Sequence, residues 1–548
     1  MRKPLINEKD AKELFYESGR RGYFIGTLDG TIPPLGYHIE KKMCGLWFPP
    51  HRILGTMEWL DVNGKTLNFL RFETLSTGRR VVLKGSDSTS TLTFLMSEDS
   101  PDFRVEVATS KPLLCRIGLD ATRIWDKETN SSDTFSLPYS LKTLPGRFEL
   151  EVEGHTYVVS FPGAKLVKQE DSKILWCVSR RCELRVSRSG VPPKKFHELM
   201  EDKRKTRRAQ NNESSPIRYW TKNMLLDFVV ETENGKGVIA GFPEYPWWFG
   251  IDTYFIGLAL LGLHLPKLAV ESFQNMLIRL ENDVVPHEVN LEGKVIFPGK
   301  ALETLLQADL LLKLTEVVLS PKEAKELFYL LHNAGKAILK TSPYPKGPGF
   351  VELQSLETPN IQTLDNAVAA FVFAKSMYQL SKRLGIDSVK REYEALSHWY
   401  DIHFLRDWYD TEKGIFKGAI CHDEKTSGIT FVQIFPLVYG LVNEDIARTL
   451  WTRLQQLGLI TSRGLIHSLG FGADRGYYGQ KDEKVWWLGN ALLKKAAENY
   501  ALPLHSDLDA LFEEDLFRKG MPGAIPEIVG LEGGCFAQAW SALYTVRW

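Results

Sequence analysis

Cysteine is scarce, and the cysteines present do not pair: Cys44, Cys115, Cys177, Cys182, Cys421 and Cys535 include no Cys-x-x-Cys spacing. Neither a thioredoxin-like redox motif nor a cysteine-built zinc site is expected, and buried free thiols in a reducing compartment are the simplest reading. Net charge is also missing. Lys plus Arg and Asp plus Glu both number 68, so no overall field draws the chain to nucleic acid or to an anionic membrane. No apolar run approaches the roughly 20 residues of a membrane span, and the stretch Met1 to Asp10 lacks the apolar core of a secretion signal. Phosphate-cradling glycine loops and metal-ligand clusters are absent as well, so no cofactor and no metal are expected. These exclusions point to a cytoplasmic protein with no nucleic-acid or membrane partner and room for a neutral substrate. Monomer and homo-oligomer both remain open.

Aromatic residues are plentiful, with 14 tryptophans among 548 residues. Most belong to a large core, but clustered rings also bind the apolar faces of sugars. At this length at least two domains are expected. From Gly22 to about Val186 short alternating runs such as Phe103-Arg104-Val105-Glu106-Val107 and Phe148-Glu149-Leu150-Glu151-Val152 are broken by turn residues. This pattern predicts an antiparallel β-sandwich over residues 1–190. Asp61-Val62-Asn63-Gly64-Lys65 and Val152-Glu153-Gly154-His155 read as hairpin turns. Residues 191–219 are dense in charge, centred on Lys203-Arg204-Lys205-Thr206-Arg207-Arg208, and read as a solvated helical linker.

Over residues 220–548 the period changes to that of helices. Candidates run from Thr253 to Leu265, Leu268 to Leu280, Ala301 to Leu319, Pro321 to Leu339, Ile361 to Arg383, Asp387 to His403, Glu444 to Gln456, Lys484 to Tyr500, Asp507 to Arg518 and Cys535 to Val546. Ser320 before Pro321, and Ser506, are the candidate caps. Helices joined by alternating short and long loops, with no fixed repeat, suit a closed ring of helical hairpins.

Two junctions in this part stand out. The first is Gly241-Phe242-Pro243-Glu244-Tyr245-Pro246-Trp247-Trp248-Phe249-Gly250-Ile251-Asp252-Thr253, a stiff aromatic loop carrying Asp252 into a helix. The adjacent rings suit a sugar-binding floor, and a carboxyl among them is partly desolvated. The alternative is a loop that plugs a domain interface. The second is Ile525-Pro526-Glu527-Ile528-Val529-Gly530-Leu531-Glu532-Gly533-Gly534-Cys535-Phe536-Ala537-Gln538-Ala539-Trp540-Ser541. Residue type alone favours an exposed Glu527, because glutamate is rarely buried without a partner.

Together these stretches resemble the amylo-α-1,6-glucosidase domain of glycogen debranching enzymes and their bacterial and archaeal relatives. The first resembles that family's acid-bearing motif, the second its C-terminal signature, and Gly22-Tyr23-Phe24-Ile25-Gly26-Thr27-Leu28-Asp29-Gly30 with Tyr37-His38 the opening of its β-domain. The resemblance implies a β-sandwich before an (α/α)6 barrel and hydrolysis of an α-glucosidic bond with inversion. It makes Asp252 the general acid and Glu527 the general base, roughly 6.5–9.5 Å apart to leave room for a water. The aromatic surroundings of Asp252 would raise its pKa, while the helix N-terminus would lower it. Glu532 and Glu483 are rival bases. Tyr245, Trp247, Trp248, Phe249, Glu288, Glu303, Asp365, Trp408, Tyr478 and Glu483 are the expected substrate-binding residues. The chain departs from the pattern at Ile251, where the family carries an arginine, and it is too short for the second, transferase domain of the eukaryotic enzymes.

The expected substrate is therefore a neutral oligo- or polysaccharide, either the α-1,6 branch of a glycogen-like glucan or a small α-glucoside. A trehalase-like or other small-glycoside hydrolase of the same fold, and a glucan-binding protein without activity, are the alternatives. A phosphorylase would need no base, and Glu527 argues against it.

Overall fold

Alternation of apolar and polar residues produces sixteen strands between Leu5 and Arg188 among the described residues, all paired antiparallel. The computed structural model describes residues 3–126, 136–347, 349, 361–420, 429–469, 484–504, 507–531 and 533–548. The strands form a nine-stranded and a seven-stranded sheet. Every second residue of Arg147–Val152 and of Lys173–Val178 points inward and is buried, as a half-buried strand requires. Phe72, Phe94 and Phe103 of the larger sheet meet Phe15 and Phe24 of the smaller, with Phe24 stacked on Phe103 at 5.0 Å. This contact closes the sandwich. Val152 pairs with His155 across Glu153 and Gly154, both at positive φ, so the second expected turn is a hairpin. The turn at Asp61–Lys65 behaves differently: it pairs Leu60 with Thr66 only briefly before the chain passes to the other sheet.

The charged stretch after the sandwich is helix α1, Phe196–Gln210. The expectation that its charges are solvated holds for Lys205 and Arg208 but fails for Lys203 and Arg207, which are buried. Spacing of four residues puts both on one helix face. That face meets carboxylates from both halves of the molecule. Lys203 bonds Glu17 at 2.6 Å, and Arg207 bonds Asp227 at 2.8 Å and Glu98 at 3.3 Å. Arg79 of the sandwich reaches the same Asp227 at 2.7 Å. Asp227 ends helix α2, Pro216–Asp227. Burial opposes its charge, yet Arg207 and Arg79 outweigh burial and hold its carboxyl below the usual range.

Helices α3 (Gly250–Gly262), α4 (Pro266–Leu277), α5 (Ala301–Val317), α6 (Pro321–Leu339), α7 (Leu364–Leu384), α8 (Asp387–Trp408), the single turn α9 (Phe435–Val438), α10 (Glu444–Gln456), α11 (Trp487–Tyr500) and α12 (Leu508–Phe517) follow. Ser320 caps α6 in a reciprocal box with Glu323, as its sequence predicts. Ser506 lies outside the described residues. The last expected helix is not α-helical. Ala537–Gln538 is a strand paired with Gly241–Phe242, and only a 3-10 helix, Ala539–Thr545, follows it. A long-range pairing there overrides local propensity.

In order, α3, α5, α7, α9, α11 and the terminal 3-10 helix each touch the next, and the last returns to α3. Helices α4, α6, α8 and α10 pack outside α3, α5, α7 and α11, and α2 packs outside the 3-10 helix. This closed double ring is consistent with the expected (α/α)6 barrel.

The buried ion pairs carry a prediction. Lys203→Ala leaves a buried glutamate without its nearest cation and is expected to cost about 3–5 kcal/mol. Lys205→Ala, on the solvated side of the same helix, is expected to stay within about 0.5 kcal/mol. Urea unfolding midpoints test this, and equal midpoints for the two variants would overturn it.

Candidate functional site

The site forms where the helical ring closes. Gly241 pairs with Gln538 and Phe242 with Ala537, bringing the two unusual junctions side by side. Close approach requires glycine here: a Cβ on Gly241 would lie 2.0 Å from Gln538 Oε1 and 2.9 Å from the Ala537 carbonyl oxygen. The aromatic run then extends as a strand, Trp248–Phe249, paired with Glu288–Val289. Successive strand residues face opposite ways. Trp247 and Phe249 accordingly stack on each other, with centroids 6.2 Å apart and planes at 16°. Trp248 turns to the other face, under the guanidinium of Arg279 at 5.7 Å. The three adjacent rings therefore do not share one face: Trp247 and Phe249 lie on one side and Trp248 on the other.

Gly250 begins α3 beneath the loop that carries His287. Its N–H donates to the His287 carbonyl at 2.9 Å, and a Cβ there would meet the Pro286 carbonyl oxygen at 2.3 Å. Asp252 follows in the first turn of the helix and is only 4% exposed. Burial pushes its carboxyl up to about 8; His287 opposes this and the charge of Glu527 adds to it. Burial therefore wins over the helix N-terminus, and the carboxyl holds a proton at neutral pH. Its Oδ1 accepts a hydrogen bond from Gln538 Nε2 at 3.2 Å.

Glu527 is 1% exposed, contrary to the exposure its residue type suggested. Backbone donors explain how it is held. Cys535 N–H donates to Oε2 at 3.0 Å, Glu527 N–H donates to the Cys535 carbonyl at 2.9 Å, and Trp487 N–H donates to the Glu527 carbonyl at 3.0 Å. The glycine turn folds directly over the carboxylate. Gly534 has φ 71°, and a Cβ on it would lie 2.6 Å from Glu527 Oε2.

A second set of groups supports these two. Glu288 accepts from the Trp247 indole at 2.9 Å. His287 Nδ1 lies 2.7 Å from Glu303, whose other oxygen accepts from Lys300 N–H at 2.6 Å. Burial works against a charge on His287, but the bond to Glu303 outweighs it and raises its pKa; the same pairing outweighs burial to lower that of Glu303. The pairing thus favours an imidazolium beside a carboxylate. Tyr245 is kept protonated by burial and then by the charge of Glu527.

Residues from the sandwich complete the group. Glu244 accepts from the backbone N–H of Tyr37 and of His38 and lies 3.1 Å from His38 Nδ1. The His38 ring thereby sits 4.9 Å from Tyr245 and 5.4 Å from Trp247, while Trp125 stacks on Trp247 at 6.1 Å. Sequence reasoning missed His38 as a wall residue, Trp125, His287, Gln538 and Glu244. Residues from distant strands carry no local signal of meeting. Gln538 had one: it sits in the C-terminal stretch already singled out.

Two further expected residues, Asp365 and Trp408, are buried. Asp365 is buried in the first turn of α7, its Oδ1 accepting from Asn366 N–H at 2.9 Å. Trp408 is buried at the end of α8 with its ring 5.6 Å from Tyr344, in the segment that follows α6. Tyr478, Glu483 and Glu532 lie outside the described residues. No group of three or more His, Cys, Asp or Glu among the described residues is placed to hold a metal ion. No described helix is long and apolar enough to cross a membrane.

No family model matches the sequence, and no curated protein matches it. Solved structures do. A bacterial glucoamylase complexed with acarbose superposes with a TM-score of 0.73 at 10% identity, covering 99% of this chain and 94% of the other. The chain shares the fold of that glucoamylase. A GH63 mannosylglycerate hydrolase from Thermus thermophilus, in complex with Tris and D-glycerate, covers 61% of this chain with a TM-score of 0.47 at 14% identity.

The raised pKa of Asp252 has a thermodynamic consequence. A carboxyl neutral in the fold and titrating at its ordinary value of 3.8 when unfolded favours the fold fully below that value. The advantage is lost as pH rises toward about 8, at up to about 1.4 kcal/mol per pH unit. Asp252→Asn removes the dependence. Its melting temperature is expected to exceed that of the wild type at pH 8 and to converge with it near pH 4; a constant difference across this range would show an ordinary carboxyl.

Proposed function

We propose that the chain is a glycoside hydrolase that cleaves an α-glucosidic bond with inversion, Asp252 acting as general acid and Glu527 as general base. The observation that carries this reading is the pairing of one carboxyl that burial keeps protonated with a second, in electrostatic reach of it, that backbone donors hold in place. An inverting glycosidase needs this division of states: the acid protonates the leaving oxygen while the base activates a water on the opposite face of the sugar. The fold shared with a glucoamylase supports the reading.

The substrate in this proposal is a neutral α-glucan or a small α-glucoside, with the debranching type favoured by the two motifs. Ile251 bears on the choice. Where the debranching pattern has an arginine, this chain has a buried apolar residue, and the cation acting on Asp252 is His287. Contacts to sugar hydroxyls then fall to His287, Tyr245 and their carboxylate partners, which leaves a small-glycoside hydrolase as the second reading. A glucan-binding role without activity is disfavoured because both carboxyls are buried at the cost of desolvation.

Asp252→Asn and Glu527→Gln are each expected to lower kcat about 10²–10⁴-fold on whichever of maltose, isomaltose, trehalose and a branched dextrin the wild type cleaves. Undiminished hydrolysis by either variant would remove that residue from its role. Proton NMR of the first product should show β-glucose released from an α-linked substrate, and α-glucose would refute inversion. Because the acid must keep its proton, kcat/KM should fall above pH about 8.

A further inference from the structure

Gln538 links the parts of the site. The residue is 2% exposed, and its backbone and side chain each make a contact that matters to the two carboxyls. The backbone N–H donates to the carbonyl of Ile525, two residues before Glu527, at 2.8 Å. The backbone pairs with Gly241 at the head of the aromatic loop. The side-chain amide donates to Asp252 Oδ1 at 3.2 Å. One residue thus spans the acid, the loop before it and the segment that carries the base.

The chemistry of that last bond is directional. An amide nitrogen only donates, so the oxygen facing it has to accept, and in a neutral carboxyl the accepting oxygen is the carbonyl one. The acid hydrogen then belongs to Oδ2. The rest of the side chain is held at a cost: its Oε1 is buried without a hydrogen-bond partner, a penalty of about 1–3 kcal/mol. A glutamine serving only to fill space would be better replaced by an apolar residue of its size. Gly241 moreover is bare where a Cβ would displace this amide.

We propose that Gln538 is the positioning residue of the acid: by occupying Oδ1 it fixes the carboxyl plane and leaves the transferable proton on Oδ2. This inference rests on the assignment of Asp252 as general acid. In the step it governs, the Oδ2–H bond breaks as its hydrogen passes to the glycosidic oxygen. The bond from that oxygen to the anomeric carbon breaks with its electron pair going to the leaving group, and water deprotonated by Glu527 supplies the new C–O bond.

The test compares leaving groups on one sugar. A disaccharide that the wild type cleaves needs its leaving oxygen protonated, whereas α-glucosyl fluoride departs with little help from an acid. Gln538→Leu and the near-isosteric Gln538→Met are expected to lose about 10²-fold in kcat on the disaccharide and less than about tenfold on the fluoride, the same signature as Asp252→Asn. Equal losses on both substrates in the two variants would mark Gln538 as merely structural, and unchanged disaccharide hydrolysis would mark it as dispensable. Either result overturns the inference. A wild type that hydrolyses neither substrate overturns the proposed function itself, a distinct outcome.

Discussion

The short pairing of Gly241–Phe242 with Ala537–Gln538 is the constraint on which the rest of the site depends. It joins the strand that opens the aromatic loop before α3 to the strand just ahead of the terminal 3-10 helix, and so closes the ring. At this seam Asp252 and Glu527, far apart in sequence, come within electrostatic reach of each other. Space at the seam is tight, and glycine at 241 and 534 keeps it passable. A side chain at the first would push away the amide that bonds Asp252, and one at the second would strike the Glu527 carboxylate. Ring closure and the chemistry of the two carboxyls are one structural event.

A second constraint holds the sandwich against the ring. Lys203 and Arg207 from α1, Arg79, Glu17 and Glu98 from the sandwich side, and Asp227 from α2 form a buried network of opposed charges. Buried ion pairs are poor sources of net stability but strong sources of specificity, since any displacement leaves a charge unpaired out of water. Here the pairs run between the sandwich, α1 and α2, where the two parts meet. The meeting matters because His38 and Trp125, from the sandwich, supply part of the aromatic wall around Tyr245 and Trp247.

Much of this was legible in the sequence where the signal is local. Period-two runs became the sandwich, Ser320 with Pro321 marked the start of α6, and the aromatic loop led into a helix bearing Asp252. What escaped depends on partners far along the chain. Cys535–Val546 reads as a helix by composition, but Gln538 is claimed by Gly241, a residue in the other half of the seam and far earlier in the chain. The basic run in α1 reads as solvated because nothing nearby announces Glu17 or Asp227. Trp248 was legible in principle: once Trp248–Phe249 is treated as extended, alternation alone separates it from its two neighbours. The burial of Glu527 was not, because the donor that holds it is the backbone of Cys535, and backbone amides are the same in every sequence.

The clamp of Glu244 on the Tyr37–His38 backbone also makes the sandwich and the ring a single unit of inheritance. Cut away from the sandwich, the helical half would present the faces of Tyr245 and Trp247 and a buried carboxylate to water with nothing to cover them. The sandwich is therefore no detachable accessory. Without it, His38 and Trp125 would no longer pack against Tyr245 and Trp247.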